Sequence, residues 1–318
     1  MPGGLPDNHQ FPLKGPTQPS MRMPMPNPTI PRRALFMLVA LTLVWGTNWP
    51  LFPYAVREVS VWTFRSVTMV VAGVTLLGIA RARGESLQIP RKYWRTVVLG
   101  TFCYLVVWNI ASTYSAMLIP SGQAAVLGFT MPLWSALIGW AVLGERLSPR
   151  LLLAIILGGA GVVLLTAPSF SAYAAAPLGL ALGLLAAISW AVGTLILQRG
   201  KVLVPVLVLT GWQLLLGSLP IIVGAMALGD GRWFMPSWQS IAVIAYIALI
   251  PSCIGNVCWF AIVGLLPANI AGLSTVLVPV VAMVSGAIVN GEPLGPLQLI
   301  SVACCVTGLA LALGGKAK

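Results

Sequence analysis

The stretch 131–149 reads MPLWSALIGWAVLGERLSP, and the stretch 278–296 reads VPVVAMVSGAIVNGEPLGP. Placed one above the other, at an offset of 147 residues, they share a proline near the start (Pro132 on Pro279) and a glycine in the middle (Gly139 on Gly286). Both end in the same signature, with Gly144-Glu145-x-Leu147-x-Pro149 falling on Gly291-Glu292-x-Leu294-x-Pro296. Apolar sequence produces leucine and alanine matches by chance; it does not readily produce paired Gly-Glu-x-x-x-Pro motifs. Working outward at the same offset, Asn109 falls on Asn256, Pro120 on Pro267, Ala124 on Ala271 and Gly161 on Gly308. Trp45 and Trp190 correspond at a slightly different offset. The chain therefore reads as a duplication.

The solvent of the duplicated unit follows from its charges. Of 318 residues, 58% are hydrophobic and 8% are Asp, Glu, Lys or Arg, against roughly 25% charged in an average soluble domain. No such charge occurs over 96–144, 151–198, 202–229 or 233–291. Each window has room for one or two spans of about 20 apolar residues. A charge at the bilayer centre costs roughly 2.5–3.5 kcal/mol on insertion scales, so a lipid solvent explains windows that lack it. The pattern predicts an all-α membrane protein with ten transmembrane helices, over 34–54, 62–80, 96–114, 122–143, 150–167, 178–198, 203–228, 238–264, 268–290 and 296–314. Residues 1–33, with nine prolines before residue 32, read as a disordered cytoplasmic leader. Residues 34–168 form the first five-helix repeat and 176–314 the second.

Five is odd, so the second copy is predicted to enter the membrane upside-down. Inverted repeats of this kind place the substrate near mid-bilayer, where the halves meet. Positive residues set the orientation. With the N-terminus inside, fifteen of the eighteen Lys and Arg residues are cytoplasmic; Arg57 and Arg232 are outside, and Arg65 lies near the outer end of the second helix. Both termini are then cytoplasmic, in a bacterial inner membrane. The net charge of +12 is thus a topology signal and not a nucleic-acid footprint. The expected partners are a small-molecule substrate and membrane lipid.

The site candidates are the polar and aromatic residues stranded in these helices. Trp45, Asn48 and Trp49 recur at i, i+3, i+4 and share one helical face. The third helix offers Tyr104, Trp108 and Asn109, followed by Ser112, Thr113 and Tyr114. The sixth offers Trp190, and the eighth Ser252, Asn256 and Trp259. Polar groups within lipid face either a cavity or another helix, and interhelical hydrogen bonding alone accounts for any one of them. As a set they predict an aromatic substrate chamber with a few amides and hydroxyls. Arg65 is assigned to the external mouth, either snorkelling outward or attracting a substrate carboxylate. Pro132 and Pro279 are the candidate hinges, because proline frees backbone carbonyls and permits bending. Glu145 and Glu292 read as caps of the fifth and tenth helices. The five cysteines lie in apolar runs and the one histidine in the leader, so neither a cofactor nor a metal is expected.

This combination resembles the drug/metabolite transporter superfamily, in its ten-helix EamA-type branch. The resemblance is carried by the 5+5 duplication, Trp45-Gly46, Phe64-Arg65 and the Gly-Glu pairs after the fourth and ninth helices. It covers 34–314 and implies export, by alternating access or facilitated diffusion, of amino acids or related small metabolites. The aromatic and neutral amino-acid exporters are the nearest in character. Many such relatives carry a lysine near the end of the first helix, where this chain has Arg57. An intramembrane enzyme would need a Ser–His pair, paired Asp or a metal site. The alternative within the same fold is an exporter of drugs or lipophilic cations, which would want an acid in mid-membrane; none lies in the middle of any expected span.

Overall fold

The structure is a computed structural model that describes residues 32–144, 149–166, 176–228, 236–259, 278–292 and 294–313. Those residues are helical throughout, apart from short connections. In chain order the helices are α1 (Arg32–Gly46), α2 (Val61–Ala82), α3 (Arg91–Leu118), α4 (Ser121–Leu143) and α5 (Pro149–Thr166). They continue with α6 (Pro177–Arg199), α7 (Val206–Leu228), α8 (Trp238–Trp259), α9 (Val278–Asn290) and α10 (Pro296–Leu313). Seven segments are long and apolar enough to cross a membrane among the described residues: those of α2, α3, α4, α6, α7 and α8, and α1 extended to Phe36–Ala55. Lipid offers backbone groups no partner, so helices, which bond internally, are what such windows form. Residues 1–31 of the expected leader and Glu145 lie outside the described residues, whereas Arg32 and Arg33, also assigned to the leader, open α1.

Several helices depart from the regular spans expected. The first ends at Gly46 and gives way to a 3₁₀ turn at Trp49–Leu51 and a single turn at Phe52–Ala55. Pro50 and Pro53 have no N–H for an α-helical ladder. The third runs farther at both ends than 96–114 and contains a π-helical segment, Phe102–Val107. The eighth contains another at Ile250–Gly255, with Pro251 inside it. At the offset of the duplication these two segments coincide to within one residue. The fourth breaks at Phe129 and Thr130, so Pro132 sits in the first turn of the Met131–Leu143 half, where its missing N–H removes no bond.

The packing repeats too. Helices α2 and α7 pack on each other, as do α5 and α10 and α4 and α9. The contact of α1 with α8 has its counterpart in that of α6 with α3. Likewise α1 on α9 mirrors α6 on α4, and α2 on α8 mirrors α7 on α3. Advancing every helix by five positions thus maps these contacts onto one another. Where α2 meets α7 the backbones approach closely. A Cβ on Gly73 would stand 3.0 Å from the Gly211 carbonyl, and one on Gly211 3.2 Å from that of Gly73. Gly144 and Gly291 end α4 and α9 with φ of 69° and 64°, a left-handed cap that glycine adopts without steric cost. One large core cluster, from Trp49 to Val302, joins α1–α4 to α6–α10.

Candidate functional site

The aromatic residues of that core surround a cavity with about 670 Å³ of atom-free space. Nine of the ten residues expected to bind substrate line it: Trp45, Asn48, Trp49, Tyr104, Trp108, Asn109, Trp190, Ser252 and Asn256. Trp259 does not. It stacks behind Trp45, with ring centroids 6.0 Å apart, and packs around Leu41. The lining also includes Ser112, from the polar run of the third helix, and Phe52, Met69, Leu105, Phe129, Leu214 and Pro251, which were not among the candidates. Ser112 carried a legible signal, since it lies three residues after Asn109 and four after Trp108. Phe129 and Leu214 carried none.

The rings hold each other. Trp108 and Trp190 pack edge to face at 4.4 Å, Trp45 and Trp190 at 6.0 Å, and Trp49 and Trp108 at 6.1 Å. Phe129 contacts Trp45, Trp49, Trp108 and Trp190. Such pairs add about 0.5–1.5 kcal/mol each beyond buried area, so this wall is stiff.

The amides repeat across the halves. Asn109 Nδ2 donates to the Leu105 carbonyl and Asn256 Nδ2 to the Ser252 carbonyl, both at 2.7 Å and both four residues back. Each follows a π-helical turn, the kind of irregularity that collects at functional sites. Tyr104 Oη donates to Asn256 Oδ1 at 3.3 Å, linking α3 to α8 across the cavity.

Of the two expectations for Arg65, the outward-snorkelling one fails. Only 4% exposed, it does not snorkel; it forms part of the cavity wall. Its guanidinium lies over the rings of Phe52 (4.4 Å) and Phe64 (4.8 Å), and its Nε donates to Thr113 Oγ1 at 2.6 Å. Thr113 in turn donates to the Asn109 carbonyl at 2.6 Å. Cation–π contacts are worth about 2 kcal/mol when desolvated. No Asp or Glu lies among the described lining residues. Three buried polar atoms of the lining have no partner among the described residues: Asn48 Oδ1, Ser112 Oγ and Trp190 Nε1. Leaving such a group unsatisfied costs about 1–3 kcal/mol.

Glu292 also departs from expectation. Its carboxylate caps α4 rather than α10, accepting from Ser121 N (3.0 Å), Ser121 Oγ (2.6 Å) and Gly122 N (3.1 Å). Asn290 Nδ2 donates to it at 3.1 Å and to the Pro50 carbonyl at 3.2 Å. At the same end of the bundle Tyr54 Oη donates to the Val289 carbonyl, and Glu58 accepts from the backbone and hydroxyl of Ser237 at 2.8 Å. These bonds tie the segment 50–58, between α1 and α2, and the start of α4 to the N-terminal end of α8 and the C-terminal end of α9. The hinge candidates flank the same helices: Pro132 is in α4, and Pro279 is buried in α9.

A model of the EamA-like transporter family matches residues 32–167 and again 177–314. The chain belongs to the EamA-like transporter family. It is a multi-pass membrane transporter, and EamA-like proteins are transporters, not enzymes. Among its relatives, the uncharacterized transporter YvbV of Bacillus subtilis is 24% identical, over 88% of this chain and 91% of that protein. The uncharacterized inner membrane transporter YedA of Escherichia coli (strain K12) is 26% identical, over 88% and 90%. A probable amino-acid metabolite efflux pump of Salmonella typhimurium is 26% identical, over 89% and 96%. A solved crystal structure at 22% identity covers 88% of this EamA-like chain and 97% of its own, with a TM-score of 0.64, which supports the fold.

Proposed function

We propose that this EamA-like chain exports amino acids or related small metabolites through the aromatic cavity by alternating access. The cavity lies between two inverted five-helix halves, 34–168 and 176–314, of a ten-span bundle in the bacterial inner membrane, with both termini cytoplasmic. One observation carries the reading: Trp45 and Trp190, equivalent residues of the two halves, meet in one chamber with their rings 6.0 Å apart. The matched pair Asn109 and Asn256, the coinciding π-helical turns and the two separate family matches support the duplication. The amino-acid metabolite efflux pump among the relatives supports the solute class.

In this reading the solute sits among Trp45, Asn48, Trp49, Tyr104, Trp108, Asn109, Trp190, Ser252 and Asn256, against neutral amides and ring faces. The bonds of Glu292, Glu58, Tyr54 and Asn290 hold one end of the bundle shut. Release of Glu292 from Ser121 and Gly122 separates α4 from α9 at that end, with bending at Pro132 and Pro279. Such a two-position element is what alternating access requires.

The test is flux. Purified protein in liposomes loaded with labelled phenylalanine, leucine or methionine should release at least one of them faster than protein-free vesicles. Absence of flux across the twenty common amino acids, with efflux of a lipophilic cation instead, would replace this reading by drug export.

A further inference from the structure

We infer that the cavity recognises its solute through a carboxylate held on Arg65, and that a solute's ammonium group is dispensable. The inference rests on the transport reading above and deepens it by naming the class: solutes with one carboxylate and an apolar body, zwitterionic amino acids and simple organic monoanions alike.

A guanidinium stays charged, and an ion withdrawn from water in a membrane interior is normally paired. Arg65 is 4% exposed. Among the described residues its one hydrogen bond is from Nε to Thr113 Oγ1, a neutral hydroxyl. The Phe52 and Phe64 rings lie against the guanidinium at 4.4 and 4.8 Å and fix its plane. Neither Nη has a hydrogen-bond partner among the described residues. A planar fork with Nε held and both Nη groups free fits a carboxylate, which accepts two parallel N–H bonds.

The remaining polar atoms suit the same guest. Ser112 Oγ and Trp190 Nε1 line the cavity, are buried and lack partners. Both donate, so both complement an anion. One positive charge balances one negative charge; a dianion would carry an uncompensated charge into lipid. An ammonium group meets no counter-charge among the described lining residues, only ring faces and amide oxygens such as Asn48 Oδ1.

Four probes with a common benzyl body separate the possibilities in the detergent-purified full-length chain: L-phenylalanine, 3-phenylpropionate, L-phenylalaninamide and 2-phenylethylamine, titrated calorimetrically. The first two should bind within about 3-fold of each other, and the two lacking a carboxylate at least about tenfold more weakly, roughly 1.4 kcal/mol. Arg65→Gln should remove that preference, and Arg65→Lys should restore part of it. Comparison of the four probes on the unaltered protein stands even if Arg65→Gln fails to fold. Equal binding of phenylalanine and its amide would overturn the carboxylate anchor and leave transport intact. Binding of phenylalanine without 3-phenylpropionate would overturn the dispensability of the ammonium. Binding of none, with no amino-acid flux in liposomes, would remove the solute class and the anchor together.

Discussion

Trp45 and Trp190 occupy equivalent places in the two family matches, yet among the described residues only one of them has a partner for its indole N–H. Trp45 Nε1 donates to the Pro251 carbonyl at 3.2 Å, whereas Trp190 Nε1 is buried against the cavity without an acceptor. The duplication supplied two copies of one side chain. Packing has made one structural; in the export reading proposed above, the other is the one that receives a guest.

That difference separates two substitutions. Trp190→Phe keeps a ring and removes only an unused donor, so the thermal midpoint in detergent should hold while the apparent KM for transport rises about 3- to 10-fold, the worth of one hydrogen bond. Trp45→Phe should instead lower the melting temperature by a few degrees, through loss of the link from α1 to α8. Identical behaviour of the two variants in both assays would contradict the assignment.

Glu292 predicts a conformational phenotype. Glu292→Gln removes the charge that receives Ser121 and Gly122 at the start of α4, where charge-assisted bonds are worth about 1.5–3 kcal/mol. With Ser121→Cys in a background whose native cysteines are replaced, labelling by a water-soluble maleimide should be faster in the Gln variant. Unchanged labelling would mean that this contact does not hold that end closed.

Glu58 gives a pH signature. Its carboxyl is held below its usual 4.5 chiefly by the Ser237 backbone N–H, with the Ser240 and Ser237 side chains assisting. A carboxyl whose native value lies below its unfolded one contributes stability above the unfolded value, and that contribution fades as pH falls through the native one. The melting temperature of the wild type should therefore exceed that of Glu58→Gln at pH 6, and the gap should close below about pH 4. A gap that widens on acidification would reverse the sign and refute the account.

Gly291 ends α9 with φ at +64°, and an added Cβ there would meet no other atom within 4 Å. Gly291→Ala should cost about 1–2 kcal/mol from backbone conformation alone. The loss should show as a lower thermal midpoint, with solute affinity unchanged. A variant as stable as the wild type would indicate that the turn relaxes.

How much of this was legible in the sequence depended on the kind of force involved. Lipid excludes charge from whole windows, so the helices could be placed from hydropathy, and paired prolines and Gly-Glu motifs exposed the duplication. Register was harder to read. The π-helical turns at 102–107 and 250–255 leave hydropathy unchanged, and only Pro251 marked one of them. The direction of Arg65 depends on Phe52, six residues beyond Gly46 in a broken segment, and on Thr113 in another helix. Glu292 finds Ser121 at a separation of 171 residues, where local helix-capping rules have no reach. Trp259 looked equivalent to its cavity neighbours because depth along a helix does not reveal which layer of rings a side chain joins.

Each π-helical turn accommodates one more residue than a regular turn would. Were 102–107 wound as ordinary α-helix with no residue removed, everything beyond it would swing by about 100°. Trp108, Asn109 and Ser112 would rotate away from the chamber together, while the composition of the helix stayed the same. A change of winding that small would leave the chain just as insertable in a bilayer, and strip the chamber of one wall.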